Sequence, residues 1–209
     1  MKHANVCAAK ADVHDTAALA REFRGHDAVI HSYTPPPDPV ARAFFTSVQQ
    51  SGGGIGAIAK YSPQDPAAHE AHVQSRIREQ TAGTRSIIAA AKTAGVKRIL
   101  AVGGAGTLLV GGVRMIDRPD FPKAYEGGAK STAVIKDILK AESATEWTVL
   151  CPSTMIVPGA RTAKFRLGLD DLLVAADGTS RISVEDFAMA LIDELENPHH
   201  TGRRFTVGY

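Results

Sequence analysis

Ala94-Gly95-Val96-Lys97-Arg98-Ile99-Leu100-Ala101-Val102-Gly103-Gly104-Ala105-Gly106 is the stretch on which the fold turns. Ile99 to Val102 is apolar without alternation, as in a strand covered on both faces, and it runs straight into glycines. Upstream, Arg76 to Ala94 places Ile77, Ile87, Ile88 and Ala91 on one helical stripe, and Gly95 stands where a left-handed C-cap ends a helix. Working outward, Val6 to Val13 reads as a short buried strand close to the start. Thr16 to Phe23 has helical spacing, stopped by Gly25. Ala28 to Ser32 reads as a strand, ended by Pro35-Pro36-Pro37. On the other side, a helix at roughly 129–141 leads into the strand Trp147 to Cys151 and then Pro152. A helix from Val184 to Leu195 opens with the capping-box variant Ser183-x-x-Asp186, and Arg204 to Gly208 reads as a closing strand. Strands alternating with helices predict an α/β fold with a mostly parallel sheet covered on both sides. Ligands in such sheets bind at the carboxyl ends of the strands, so the segments after Asp12, Ile30, Val102 and Leu150 are where a site is expected.

Composition narrows the classes of function. The 209 residues carry 24 Lys and Arg against 22 Asp and Glu, a net charge of +2 with the signs interspersed. Neither nucleic acid nor a membrane surface finds a basic field to bind. Cys7 and Cys151 have the spacing of neither a disulfide framework nor a zinc site. Apolar stretches are broken well before membrane-spanning length, and the first residues lack a signal-peptide core. The expectation is a single cytoplasmic domain over residues 1–209 acting on a small-molecule substrate.

Several phrases together resemble a known family. Lys10-Ala11-Asp12-Val13-x-Asp15, Gly25-His26-Asp27-Ala28-Val29-Ile30 and Ala94 to Leu100 look like atypical short-chain dehydrogenase/reductases. The nearer match is the NAD(P)H-binding, NmrA-like and biliverdin-reductase-B-like group labelled NADH-flavin reductases. Val102 to Gly106, Asp120-Phe121-Pro122, Arg181 to Ala188 and Arg204 to Tyr209 strengthen it. The resemblance implies a Rossmann-like doubly wound sheet, and it shows two departures. The family's opening unit, a strand, a Gly-rich turn, a helix and a second strand, has no counterpart ahead of Val6. Residues at about 49–73, with Gly52-Gly53-Gly54-Ile55-Gly56, read as an insertion; that glycine cluster follows a helix-like segment, Ala43 to Gln50, and reads as a flexible loop rather than a phosphate loop, whose fingerprint needs a strand before it. In the strand order 3-2-1-4-5-6 the missing strands lie between Val6–Ala11 and Ala28–His31. Either Val6–Ala11 or Ile55–Tyr61 is therefore expected to pair with Ala28–His31, or the open edge pairs between chains and gives a homodimer.

The resemblance also implies a cofactor, NAD or NADP, and the residues around it. Asp12 and Val13 match positions beside the adenine; Asp12 could equally serve as a carboxylate at a helix start. Ser32, Tyr33 and Thr34 match the nucleotide-lining segment, or form a rigid wall with the prolines behind them. Gly103 and Gly104 allow a nicotinamide ribose to approach, or simply make a tight turn. Pro152, Ser153, Thr154 and Met155 match the segment along the nicotinamide face, or a plain strand exit. Tyr125 and Lys130 resemble the catalytic Tyr-x-x-x-Lys pair of the wider superfamily, one residue too far apart and interrupted by Gly127-Gly128; Tyr125 is the catalytic candidate, with a surface aromatic as the other reading. His69 and His72 lack a third metal ligand and read as a solvated helix face, and His199-His200 reads as an exposed turn. No serine sits in a nucleophile elbow. The function implied is NAD(P)H-dependent reduction of a flavin, quinone or similar planar acceptor. The alternatives are a non-catalytic dinucleotide sensor, a remnant that binds no cofactor, and epimerase or dehydratase chemistry.

Overall fold

The computed structural model describes residues 6–37, 39–50 and 62–209. In chain order the elements are α1 (Thr16–Phe23), β1 (Ala28–His31), α2 (Pro39–Gln50), α3 (Pro66–Ala94), β2 (Arg98–Val102), β3 (Leu109–Val110), β4 (Val113–Arg114) and α4 (Lys123–Lys140). There follow β5 (Glu146–Cys151), β6 (Met155–Val157), β7 (Arg166–Gly168), β8 (Arg181–Ser183), α5 (Val184–Glu196) and β9 (Arg203–Gly208). The main sheet has the order β1-β2-β5-β9-β7, its first four strands parallel and β7 antiparallel at one edge. This is the expected α/β architecture.

Strand alternation divides the core between two faces. Val29, Ile99, Ala101, Trp147 and Val149 point to one side, where Leu19 of α1, Ile87 and Ile88 of α3 and Ile135 and Leu139 of α4 cover them. Leu150, Phe205 and Val207 point to the other, against Phe187 and Ala190 of α5. The α3 helix ends at Gly95, whose φ of 78° suits a residue without a Cβ, and the cap amide bonds back to the carbonyls of Ala91 and Lys92.

Some expectations need correction. Residues 6–12 form no strand and are exposed. An apolar run becomes a strand only with a neighbour to take its backbone hydrogen bonds, and β1 pairs only with β2 among the described residues. β1 is thus a sheet edge, and Ile30 on its uncovered face is 41% exposed. The other pairing candidate, Ile55–Tyr61, lies outside the described residues, as does Gly52–Gly56. The C-terminal part of the supposed insertion, from Pro66, is the first two turns of α3. The helix expected at 129–141 begins at Lys123, with Gly127 and Gly128 inside it. At α5, Ser183 Oγ accepts from Asp186 N at 3.0 Å, but Asp186 does not complete the box. Its carboxylate instead takes the amides of Thr162 and Ala163 and the hydroxyls of Thr162 and Tyr209.

At the amino ends of the strands the sheet is closed by a buried polar cluster. Arg98 donates to Thr148 Oγ1 at 2.8 Å and to Glu194 Oε1 at 3.1 Å. Glu194 also takes His200 Nδ1 at 2.7 Å and the amides of His199 and His200. Burial pushes the Glu194 carboxyl up, but these bonds from His200 and the two amides outweigh it and hold the group below its usual range. His200 stacks on Phe205 with ring centroids 4.2 Å apart, so it is a packed residue and not an exposed turn.

Candidate functional site

Parallel register brings the carboxyl ends of β1, β2 and β5 level, His31 beside Ala101 and Val102 beside Leu150. Above them, between α3 and α4, lies a cavity of about 730 Å³. Thr34 and Pro37 line it from the segment after β1, Gly104 to Gly106 from that after β2, and Pro152 to Thr154 from that after β5. Helix α3 contributes His69, His72, Val73 and Arg76, and α4 contributes Tyr125, the Gly127–Gly128 pair and Thr132. A mostly apolar cavity of this size with a few polar groups suits a small molecule.

Two glycines shape the wall nearest the sheet. A Cβ on Gly103 would stand 2.6 Å from Cys151 Sγ and 2.8 Å from Val149 Cγ1. Its amide donates to Leu150 O at 2.8 Å. Gly103 therefore serves close packing of β2 on β5, and it faces a small recess behind the cavity. Gly104 lines the cavity itself; a Cβ there would meet Thr132 Oγ1 at 2.6 Å. The opposite wall is held by its own hydroxyls. Ser153 Oγ donates to Val207 O at 2.9 Å and Thr154 Oγ1 to Ser180 O at 2.8 Å.

The structure gathers Thr34, Gly104, Pro152, Ser153, Thr154 and Tyr125 into one cavity. It places the other sequence candidates elsewhere. Asp12 accepts from His14 N at 2.9 Å on the surface ahead of α1, and Asp15, not Asp12, caps the helix. Val13 packs partly buried on the core, and Ser32 is exposed. Met155 pairs with Arg181 in the small sheet of β6 and β8. The Tyr33 ring lies over Gly83, where a Cβ would come within 2.5 Å of Cε1. Burial, then the charges of Glu79 and Asp12, push its hydroxyl pKa up. Behind Tyr33, His31 is fully buried: Nδ1 accepts from Tyr33 N at 3.2 Å, so Nε2 carries the hydrogen shared with Thr84 Oγ1 at 3.0 Å. Burial pushes His31 down to about 4, which keeps it neutral.

The Tyr125 and Lys130 pair does not form. Five residues on a helix separate side chains by more than a third of a turn, and Lys130 Nζ binds Glu126 Oε1 at 2.7 Å. Glu126 also takes Lys123 at 3.0 Å and His69 Nε2 at 3.3 Å. Burial pushes Glu126 up, but Lys130 and then Lys123 outweigh it and hold it at about 2. Tyr125, 37% exposed, sits in the first turn of α4 with its pKa raised by burial, so its hydroxyl is protonated at neutral pH.

The sequence reading missed one face of α3. His69 and His72 line the cavity and are not solvated, and Arg76 joins them. The signal was the spacing: positions i, i+3 and i+7 share a helical face, and a helix begun at Pro66 carries that face over the strand ends. Among the described residues, no cluster of three or more His, Cys, Asp or Glu could hold a metal ion.

The chain belongs to the NAD(P)H-binding family, whose model matches residues 1–197. It is 41% identical over 128 residues to the uncharacterized protein YwnB of Bacillus subtilis, an alignment covering 59% of this chain and 60% of that protein. The chain thus spans about three fifths of that relative's length. Among solved structures it is similar to a proposed epimerase from Bacteroides thetaiotaomicron, at 32% identity and a TM-score of 0.70, covering 95% of this chain and 74% of that one. A proposed NADH-flavin reductase from Streptococcus pneumoniae matches at 25% identity and a TM-score of 0.62, covering 96% of this chain and 79% of that one. No helix among the described residues is long and apolar enough to cross a membrane.

The family implies a nicotinamide dinucleotide, and the residues present fit one half of it. Gly104 and Pro152–Thr154 line a largely apolar cavity, as a nicotinamide ring needs. The diphosphate half is not matched by the described residues. They hold no glycine-rich turn leading from a strand directly into an α-helix, and the α-helix next to β1 starts with Asp15 accepting from the Ala18 amide, which disfavours an anion there.

Proposed function

We propose that this protein is an NAD(P)H-dependent reductase acting on a flavin, quinone or similar small planar acceptor. The observation that carries the reading is the largely apolar cavity of about 730 Å³ at the strand ends, lined by Gly104 and Pro152, with a protonated tyrosine in its lining. The similar S. pneumoniae protein, whose name says NADH-flavin reductase, supports it. When bound, the dihydronicotinamide supplies a hydride. What this chain's own residues do is orient and protonate. Gly104 and Pro152 fix the plane in which a ring lies, the apolar lining excludes water, and Tyr125 Oη holds a proton within the same cavity. Reduction of conjugated acceptors depends chiefly on such orientation.

Epimerase chemistry, suggested by the name of the B. thetaiotaomicron protein, finds less support here, because Lys130 is held by Glu126 and not by Tyr125. The test is calorimetric titration with NADPH and NADH, followed by oxidation assays with a flavin or naphthoquinone. Binding at micromolar concentration with acceptor-dependent oxidation is expected. Binding without oxidation by any acceptor would favour a sensor, and no binding at millimolar concentration would remove the cofactor reading altogether.

A further inference from the structure

A second cavity, of about 650 Å³, adjoins the first, for Pro37, His72 and Arg76 line both. It lies between α2 and α3, and its chemistry differs. The first is walled by residues such as Val73, Met115, Phe121 and Ile156. The second has Pro36 and Pro39 as a stiff apolar wall, with hydroxyl, amide and charged side chains around the rest. On α2, Thr46 Oγ1 donates to Arg42 O and Ser47 Oγ to Phe44 O, both at 2.9 Å. The hydrogen of each hydroxyl is thus taken, and its oxygen is left to accept. Glu79, on α3, is an acceptor as well, reached by Ser75 Oγ only at 3.5 Å. Arg42 adds donors, and Gln50 offers both kinds of group. Charges of both signs line the space, Arg42 and Arg76 against Glu79, which no hydrocarbon matches. A hydroxyl both donates and accepts. A chain of CHOH groups therefore presents carbon to the prolines and hydroxyls to this mixed lining.

We infer that the two cavities take one acceptor between them: a planar ring at the strand ends, and a polyhydroxylated side chain that passes Pro37 and His72 into the space between α2 and α3. Among planar acceptors this selects flavins, whose ring bears a ribityl chain, over quinones with hydrocarbon tails. The inference rests on the reading of the first cavity as an acceptor site.

The test compares ligands that share a ring and differ in the tail. Riboflavin carries a ribityl chain where lumiflavin carries a methyl group, and each is titrated calorimetrically without nicotinamide cofactor. Riboflavin should bind about tenfold more tightly, the gain of about two hydrogen bonds. Ala43→Trp, which fills the second cavity from α2, should bring the ratio to within about twofold. The double substitution Thr46→Val and Gln50→Ala should do the same by removing partners while leaving the space open. The ratio is read because a folding defect weakens both flavins alike. In the NAD(P)H oxidation assay the riboflavin advantage in kcat/KM should fall in proportion. Equal affinities in the wild type, no binding by either flavin, or a ratio that survives either variant overturns the inference. So does a prenyl tail on menadione that tightens binding as much as the ribityl chain does, which would give the second cavity to hydrocarbon. If both flavins support oxidation with equal affinity, the reductase reading stands and this inference falls. If no acceptor supports oxidation while the ratio holds, the reductase reading falls and the tail site stands.

Discussion

The two ends of the sheet are built on opposite plans. At the amino ends, Arg98, Thr148, Glu194 and His200 form a buried network in which each Glu194 oxygen has partners. At the carboxyl ends the strands stop at glycines and prolines, and α3 and α4 part around a largely apolar cavity. Buried charges with satisfied bonds lock a structure, and an apolar slot with a few polar groups receives a small molecule. The contrast teaches that stability and recognition are assigned to different ends of the same strands, so changes at one end should spare the property of the other.

The largest effect is expected at the locked end. Glu194→Ala leaves Arg98 buried without its carboxylate and should cost about 3–5 kcal/mol in urea denaturation, with flavin affinity unchanged while the protein stays folded. Loss of flavin affinity in the folded variant would break the division.

A smaller effect belongs to His31, under the open end. Its folded pKa of about 4 lies below the ordinary 6.5, so between those values the unfolded chain binds more protons. Stability is full above pH 6.5, falls as the pH drops toward 4, and the whole loss is about 3 kcal/mol. His31→Gln, able to keep bonds to Thr84 and Tyr33, should flatten the stability curve over that window. A slope that survives the substitution would place the titrating group elsewhere.

The smallest effect tests the seam between the two plans. Gly103→Val drives a side chain into Cys151 Sγ and Val149 Cγ1 and should cost about 2 kcal/mol by overpacking. It should also weaken acceptor binding, because Gly104, next in the chain, would shift. An unaltered affinity would show that the cavity wall tolerates movement of β2.

Much of this division was legible from residue patterns, and the rest failed for physical reasons. The stretch from Ala94 to Gly106 gave strand, cap and cavity wall, because a doubly covered strand and a left-handed glycine are local signals. Val6–Ala11 misled because apolarity is local whereas pairing is not. Gly127 and Gly128 hid the start of α4, since helix propensity counts against them. The same blindness hid Arg76, His69 and His72: as a spacing they were visible, but the element they face lies some fifty residues on. His200 looked solvated because its carboxylate partner sits on α5 and its ring partner on β9.

Trp147, the chain's single tryptophan, sits in the second position of β5 and is buried in the core. Pro152, on the cavity wall, is five residues further along the strand direction, about 16 Å away. The molecule thus carries an optical reporter at its locked end. Unfolding there should move the emission maximum to longer wavelength. A flavin seated at the open end should dim the same emission by energy transfer and leave its maximum in place. One spectrum therefore separates melting from occupancy.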